Sequence, residues 1–175
     1  MQTDASHVVM SFDFTLMLAA LARMALALVL TLPIAREREL HDTSAGLRTF
    51  PIVALGSCGL VLLATSEFPP GSVAVMYVIQ GLVTGVGFIG GGAIIKANDR
   101  VRGTATAASI WATAAIGASV GLGHAEIAVV LAAFTFLTLN IVSRMEAKHM
   151  IPPTPESWRG PRPARGDDDS KHGDA

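Results

Sequence analysis

Five apolar runs, separated by short charged or turn-forming segments, constrain this chain more than any other feature. From Pro51 to Ile95 the only ionisable side chains are Glu67, Cys58 and Tyr77. An apolar run of about 18 residues or more can cross roughly 30 Å of hydrocarbon as a helix rising 1.5 Å per residue. With 51% hydrophobic and only 15% charged residues, the chain has too little polar sequence to cover five such helices in water. The reading is an all-α integral membrane protein of five transmembrane helices, at about 12–35, 50–67, 72–95, 104–121 and 125–142.

Glycine sets how those helices pack. Six of the 17 glycines fall between Gly81 and Gly92. A helix-interior glycine costs about 1 kcal/mol relative to alanine, so this density needs a compensating contact. In lipid that contact is close backbone packing through small residues. Gly81 and Gly85 form one GxxxG pair, and Gly87 and Gly91 another. Ser109, Thr113, Gly117 and Gly121 form a stripe at four-residue spacing in the next span. Small faces on these two spans are expected to meet each other or neighbouring helices. Gly85-Val86-Gly87-Phe88-Ile89-Gly90 also matches the dinucleotide-binding GxGxxG, but apolar sequence runs through it on both sides. The strand and soluble helix that give that motif its meaning are missing.

Charged and breaking residues punctuate the spans. Residues 1–11 are polar, with Asp4 and His7 and no Lys or Arg, so they lack a signal peptide's basic start and the first span is expected to stay. Arg23 interrupts the first span near its middle, and Pro33 removes a helix hydrogen bond near its end. An intramembrane arginine either marks a functional site or snorkels to the interface, and both readings stay open here. Arg36, Glu37, Arg38, Glu39 and Arg48 fall in the first loop, and Lys96, Arg100 and Arg102 in the third. Neither turn at 67–72 nor at 121–126 holds a Lys or Arg, so the N-terminus is expected outside and the C-terminus in the cytoplasm. Arg38 and Arg48 then lie near the bilayer, where their forks suit phosphate or carboxylate. From about residue 144 the chain turns polar, holds five of the nine prolines and ends near Asp167-Asp168-Asp169; a disordered cytoplasmic tail is expected.

Chemistry of the enzymatic kind finds little support. The histidines His7, His41, His124, His149 and His172 share no metal-ligand spacing. No serine, nor the single cysteine Cys58, has an evident base partner. No catalytic residue, metal, cofactor or nucleic-acid partner is expected; the expected partners are the bilayer and either another membrane protein or a second copy.

Four motifs together resemble the MgtC/SapB family: the segment Arg23 to Glu39, Gly46-Leu47-Arg48-Thr49, the run Gly85 to Gly92, and Val101-Arg102-Gly103-Thr104 leading to Trp111. They stand in family order across about residues 14–143. The resemblance implies a multi-pass bacterial inner-membrane protein linked to growth at low magnesium. Members were once described as magnesium transporters, and some are thought to regulate membrane proteins such as ATP synthase. Carried over by motif, the functional candidates are Arg23, Glu37, Arg38, Glu39, Arg48, Thr49, Gln80, Gly85, Gly87, Gly90, Gly91, Gly92, Arg102 and Thr104. The family commonly opens its third span with an acidic residue and an arginine, where this chain has Ala74 and Tyr77. Longer members add a cytoplasmic domain, so the chain resembles the short ones. Two functions follow: a non-enzymatic membrane regulator, or a transporter in which Gly90-Gly91-Gly92 breaks the third span and Gln80, Thr84, Thr113 and Asn140 add oxygen ligands.

Overall fold

The computed structural model describes residues 13–40, 45–69, 71–97 and 100–148. Five helices carry nearly all of them: α1 (Phe14–Leu40), α2 (Thr49–Glu67), α3 (Val73–Gly92), α4 (Thr104–Leu122) and α5 (Ala125–Lys148). Each is long and apolar enough to cross a membrane. The chain divides into two compact units, 1–141 and 142–175. Of the second, only the end of α5 is among the described residues. The polar segment read at 1–11 and the tail beyond Lys148 lie outside them.

Helix ends follow local chemistry. Asp13 caps α1, its Oδ1 accepting from the Thr15 and Leu16 N–H groups at 2.9 and 3.2 Å. Ser72 caps α3 by accepting from Val75 N–H. Gly123, at φ 89°, closes α4 with its N–H on the Val120 carbonyl, while the His124 N–H reaches back to Ser119. That paired closure uses the left-handed backbone that glycine adopts without strain.

Three elements differ from the sequence reading, one of them α5, which runs on through 144–148 where that reading begins a disordered tail. Rather than ending near Ala35, α1 continues through Pro33 and the charged run to Leu40. Hydrocarbon ends where charge begins, but Arg and Glu are good helix formers, so the helix outlasts the span. The segment read as a loop at Lys96–Arg102 pairs as an antiparallel hairpin, β1 (Ile95–Ala97) with β2 (Arg100–Arg102). It leads into Gly103, at φ 88°, where a Cβ would overlap the Ala93 carbonyl.

The small stripe of α4 faces α2, not the glycines of α3. A Cβ on Gly117 would overlap the Ala54 carbonyl, and one on Gly121 would lie 2.9 Å from the Cys58 carbonyl and 2.8 Å from Val61. These contacts make α2 and α4 parallel and in the most extensive contact of the bundle. Around them pack Ala27, Ile34, Phe50, Ile110, Ile116 and Val120, all essentially inaccessible. Hydroxyls share this core; Thr113 Oγ1 is buried with no hydrogen-bond partner among the described residues, but others are satisfied. Thr31 Oγ1 donates to the Ala27 carbonyl at 3.0 Å, and Ser109 Oγ to Ala105 at 2.7 Å. Such back-bonds satisfy a hydroxyl inside its own helix, leaving a small, smooth face.

Register follows from the same contacts. Ala54 lies five residues into α2, whereas Gly117 lies thirteen into α4. α4 is therefore displaced eight residues, about 12 Å, toward the end of the bundle that carries Glu37 and Arg48. At the opposite end α4 stops short of α2 by a similar distance.

Candidate functional site

The extended α1 carries Glu37, Arg38 and Glu39 to the charged end, where α2 begins at Arg48 and Thr49. Glu37 and Arg38 are buried, at 8% and 7% exposure, within the last turns of α1. Arg38 Nη2 lies 3.8 Å from Glu37 Oε1. Taking both charges out of water is unfavourable unless they are paired, and the neighbouring charge of opposite sign offsets part of that cost.

Glu39 plays a different part. Its side chain turns to the chain that follows the loop, where Oε2 accepts the Leu47 N–H at 3.0 Å. The carboxylate occupies the space that a Cβ on Gly46 would fill. Gly46 in turn starts α2, its carbonyl accepting from the Thr49 and Phe50 N–H groups at 3.0 and 3.2 Å. A carboxylate, a bare glycine and a helix start thus form one clamp across the loop. Arg48 takes the N-cap position with its side chain exposed and making no cap bond, and Thr49 follows half-buried.

The remaining sequence candidates do not join this cluster. Arg102 and Thr104 are exposed beside the hairpin. Gly90 sits 3.2 Å (ideal Cβ to oxygen) from the Ala107 carbonyl, the one α3 glycine in contact with a neighbour. Around Gly81, Gly85, Gly87, Gly91 and Gly92 a Cβ would meet nothing within 4 Å. By helical spacing Gly81, Gly85 and Gly92 share one open side of α3, and Gly87, Gly91 and exposed Gln80 lie on another. The glycine run ends α3 rather than interrupting a continuing helix: α3 stops at Gly92, short of the span read to 95, and the Gly90 and Gly91 carbonyls accept from Ala93 and Ile94. Thr84 donates back to Gln80, and Asn140 to Phe136, while Thr113 is buried on the α4 stripe. Arg23 stands at the other end of the bundle, where its Nη1 donates to the Gly121 carbonyl at 3.3 Å. A cation at a helix C-terminus meets the negative end of the macrodipole. Among the described residues no group of three or more His, Cys, Asp or Glu is placed to hold a metal.

Sequence reading missed Gly46 as a partner of Glu39, because seven positions and a loop separate them. It also missed Gly103, for which a glycine directly before Thr104 at the start of α4 was the available signal.

A bundle of five apolar helices with exposed large side chains on its surface, such as Phe88, Phe134 and Ile52, is a multi-pass membrane protein sitting in a lipid bilayer. The sequence profile described as the MgtC family matches residues 24–148, and the chain belongs to that family. It is 35% identical over 136 residues to Protein SrpB of Synechococcus elongatus, covering 71% of this chain and 75% of that one. To Protein MgtC of Salmonella typhimurium LT2 it is 36% identical over 147 residues, 83% of this chain and 61% of MgtC. To the putative magnesium transporter YhiD of Escherichia coli K12 it is 32% identical over 139 residues, 73% of this chain and 62% of YhiD. The chain thus spans under two thirds of the length of MgtC and YhiD. No solved structure matches it.

Proposed function

We propose that the protein is a non-enzymatic regulator in the bacterial inner membrane that docks another membrane helix on the glycine face of α3. One observation carries this reading. Five of the six glycines between Gly81 and Gly92 meet nothing within the bundle, although each weakens α3 as a helix. Gly81, Gly85 and Gly92 fall on one side of α3, and in lipid such a face gains only when a second backbone closes on it. The charged end, with Arg38, Arg48, Lys96 and Arg102, would face the cytoplasm by the positive-inside rule. The printed name of the YhiD relative, a putative magnesium transporter, directs the assay toward magnesium.

Gly85→Leu tests this. The leucine has open space around it, so the variant is expected to fold with wild-type yield and elution profile. In a deletion strain growing at limiting magnesium it is expected to fail to complement, because the bulky side chain holds a partner helix away. Full complementation by folded Gly85→Leu would reject the reading. The alternative, a transporter for magnesium or another small solute, is tested separately in proteoliposomes, where the regulator reading expects no flux above empty vesicles.

A further inference from the structure

Where α4 stops short, the bundle leaves a cavity of about 570 Å³ above its last turn, walled by α1, α2 and the start of α3. Its volume lies within the roughly 300–1,000 Å³ of small-ligand sites. The wall is mainly apolar, including Leu16, Leu62 and Val75, and the exposed side chain of Arg23 forms part of it. We infer that this cavity binds the phosphate head group of an anionic membrane lipid, held by the Arg23 guanidinium, with the lipid's apolar part along the α1 and α2 walls.

The argument is one of charge. Arg23 makes no ion pair among the described residues, and the contact it does make is to a neutral carbonyl. A helix C-terminus carries roughly half a negative charge, so a full guanidinium there leaves this part of the lining net positive. An uncompensated cation at membrane depth is unfavourable and calls for an anion. The guanidinium has five N–H donors, and its single contact leaves most of them for a bidentate oxyanion. Ser66 and Thr65 on the α2 wall supply hydroxyls, now bonded to their own helix and able to rotate. The other titratable side chain on the wall, His124, is engaged at 3.3 Å by Glu126. A small soluble anion would leave the apolar wall uncovered; a phospholipid covers it. This inference stands whether the protein regulates or transports.

The test uses the full chain in nanodiscs of equal phosphatidylglycerol and phosphatidylcholine, extracted in mild detergent and examined by native mass spectrometry. Wild type is expected to retain phosphatidylglycerol over phosphatidylcholine by about tenfold, as a charge-assisted pair would give. Arg23→Gln is expected to fall to near parity. Because Arg23 also closes α4, a second variant is needed: Ala20→Phe fills the cavity, keeps the guanidinium and is likewise expected to fall to parity with an unchanged melting temperature. Parity in wild type, or undiminished preference in both variants, would overturn the inference. So would displacement of the lipid by millimolar inorganic phosphate, which would make the ligand a soluble oxyanion. Preference seen only after deletion of residues 2–11 would also overturn it, by placing the chain's own N-terminal segment on Arg23.

Discussion

Gly117→Leu is expected to prevent assembly of the bundle, and Gly117→Ala to lower its stability by about 3 kcal/mol, at the upper end for overpacked cores. The reason is local. Gly117 sits on the backbone of Ala54, so even a methyl overlaps a carbonyl that no rotamer change can move. α2 and α4 must separate, and with them the contacts of Gly121, Cys58 and Val61. In lipid nothing like the hydrophobic effect holds parted helices together, so lost van der Waals contact is not replaced. Thermal unfolding in detergent, read by size-exclusion profile, checks this. Ala at Gly91, which faces open space, is the control and is expected to be neutral or mildly stabilising. Equal behaviour of the two alanine variants would contradict the α2–α4 contact.

The clamp at the charged end gives the second large effect. Gly46→Ala places a methyl where the Glu39 carboxylate lies, so the carboxylate must leave and the Leu47 N–H loses its acceptor. Hydrogen bonds to charged groups contribute about 1.5–3 kcal/mol, and the exposure of Glu39 puts the expected loss near the lower value. Glu39→Ala removes the same bond from the other side. The double variant is therefore expected to be no less stable than either single one, with the whole effect appearing as coupling. Additive losses in thermal unfolding would show that Glu39 and Gly46 act independently.

These two sites mark what the sequence could and could not disclose. Five spans were legible because lipid demands long uncharged helices, and their charged borders at Arg36–Arg48 and Lys96–Arg102 stand out against them. That small residues pack the bundle was legible for the same reason. Which small face turns inward was not. The stripes Gly81–Gly85 on α3 and Gly117–Gly121 on α4 look alike in sequence, and only the neighbours they meet separate them: α4 packs on α2, while α3 leaves most of its glycines outward. The offset of α4 was equally hidden, because span lengths fix how long a helix is and not how high it sits. Without that offset there is no cavity above Gly121, and Arg23 has no particular surroundings. The extension of α1 was obscured by its charges, which end the hydrocarbon span but favour continued helix. Of the family-motif residues, Glu37, Arg38 and Glu39 share one stretch of sequence yet divide in the fold, two buried together and the third spent on a loop.

The outward glycine face of α3 is the centre of this account, and site-specific photo-crosslinking in native membranes tests it most directly. A photoreactive phenylalanine analogue at Phe88, which is exposed on the same side of α3 as Gly81 and Gly85 and leaves the small face itself open, is expected to yield a defined crosslinked protein band, either a membrane partner or a second copy. The same group at Phe134, an exposed position on α5, is expected to yield none. A band at Phe88 alone would establish α3 as the docking surface. No band at Phe88, or equal bands at both positions, would contradict it.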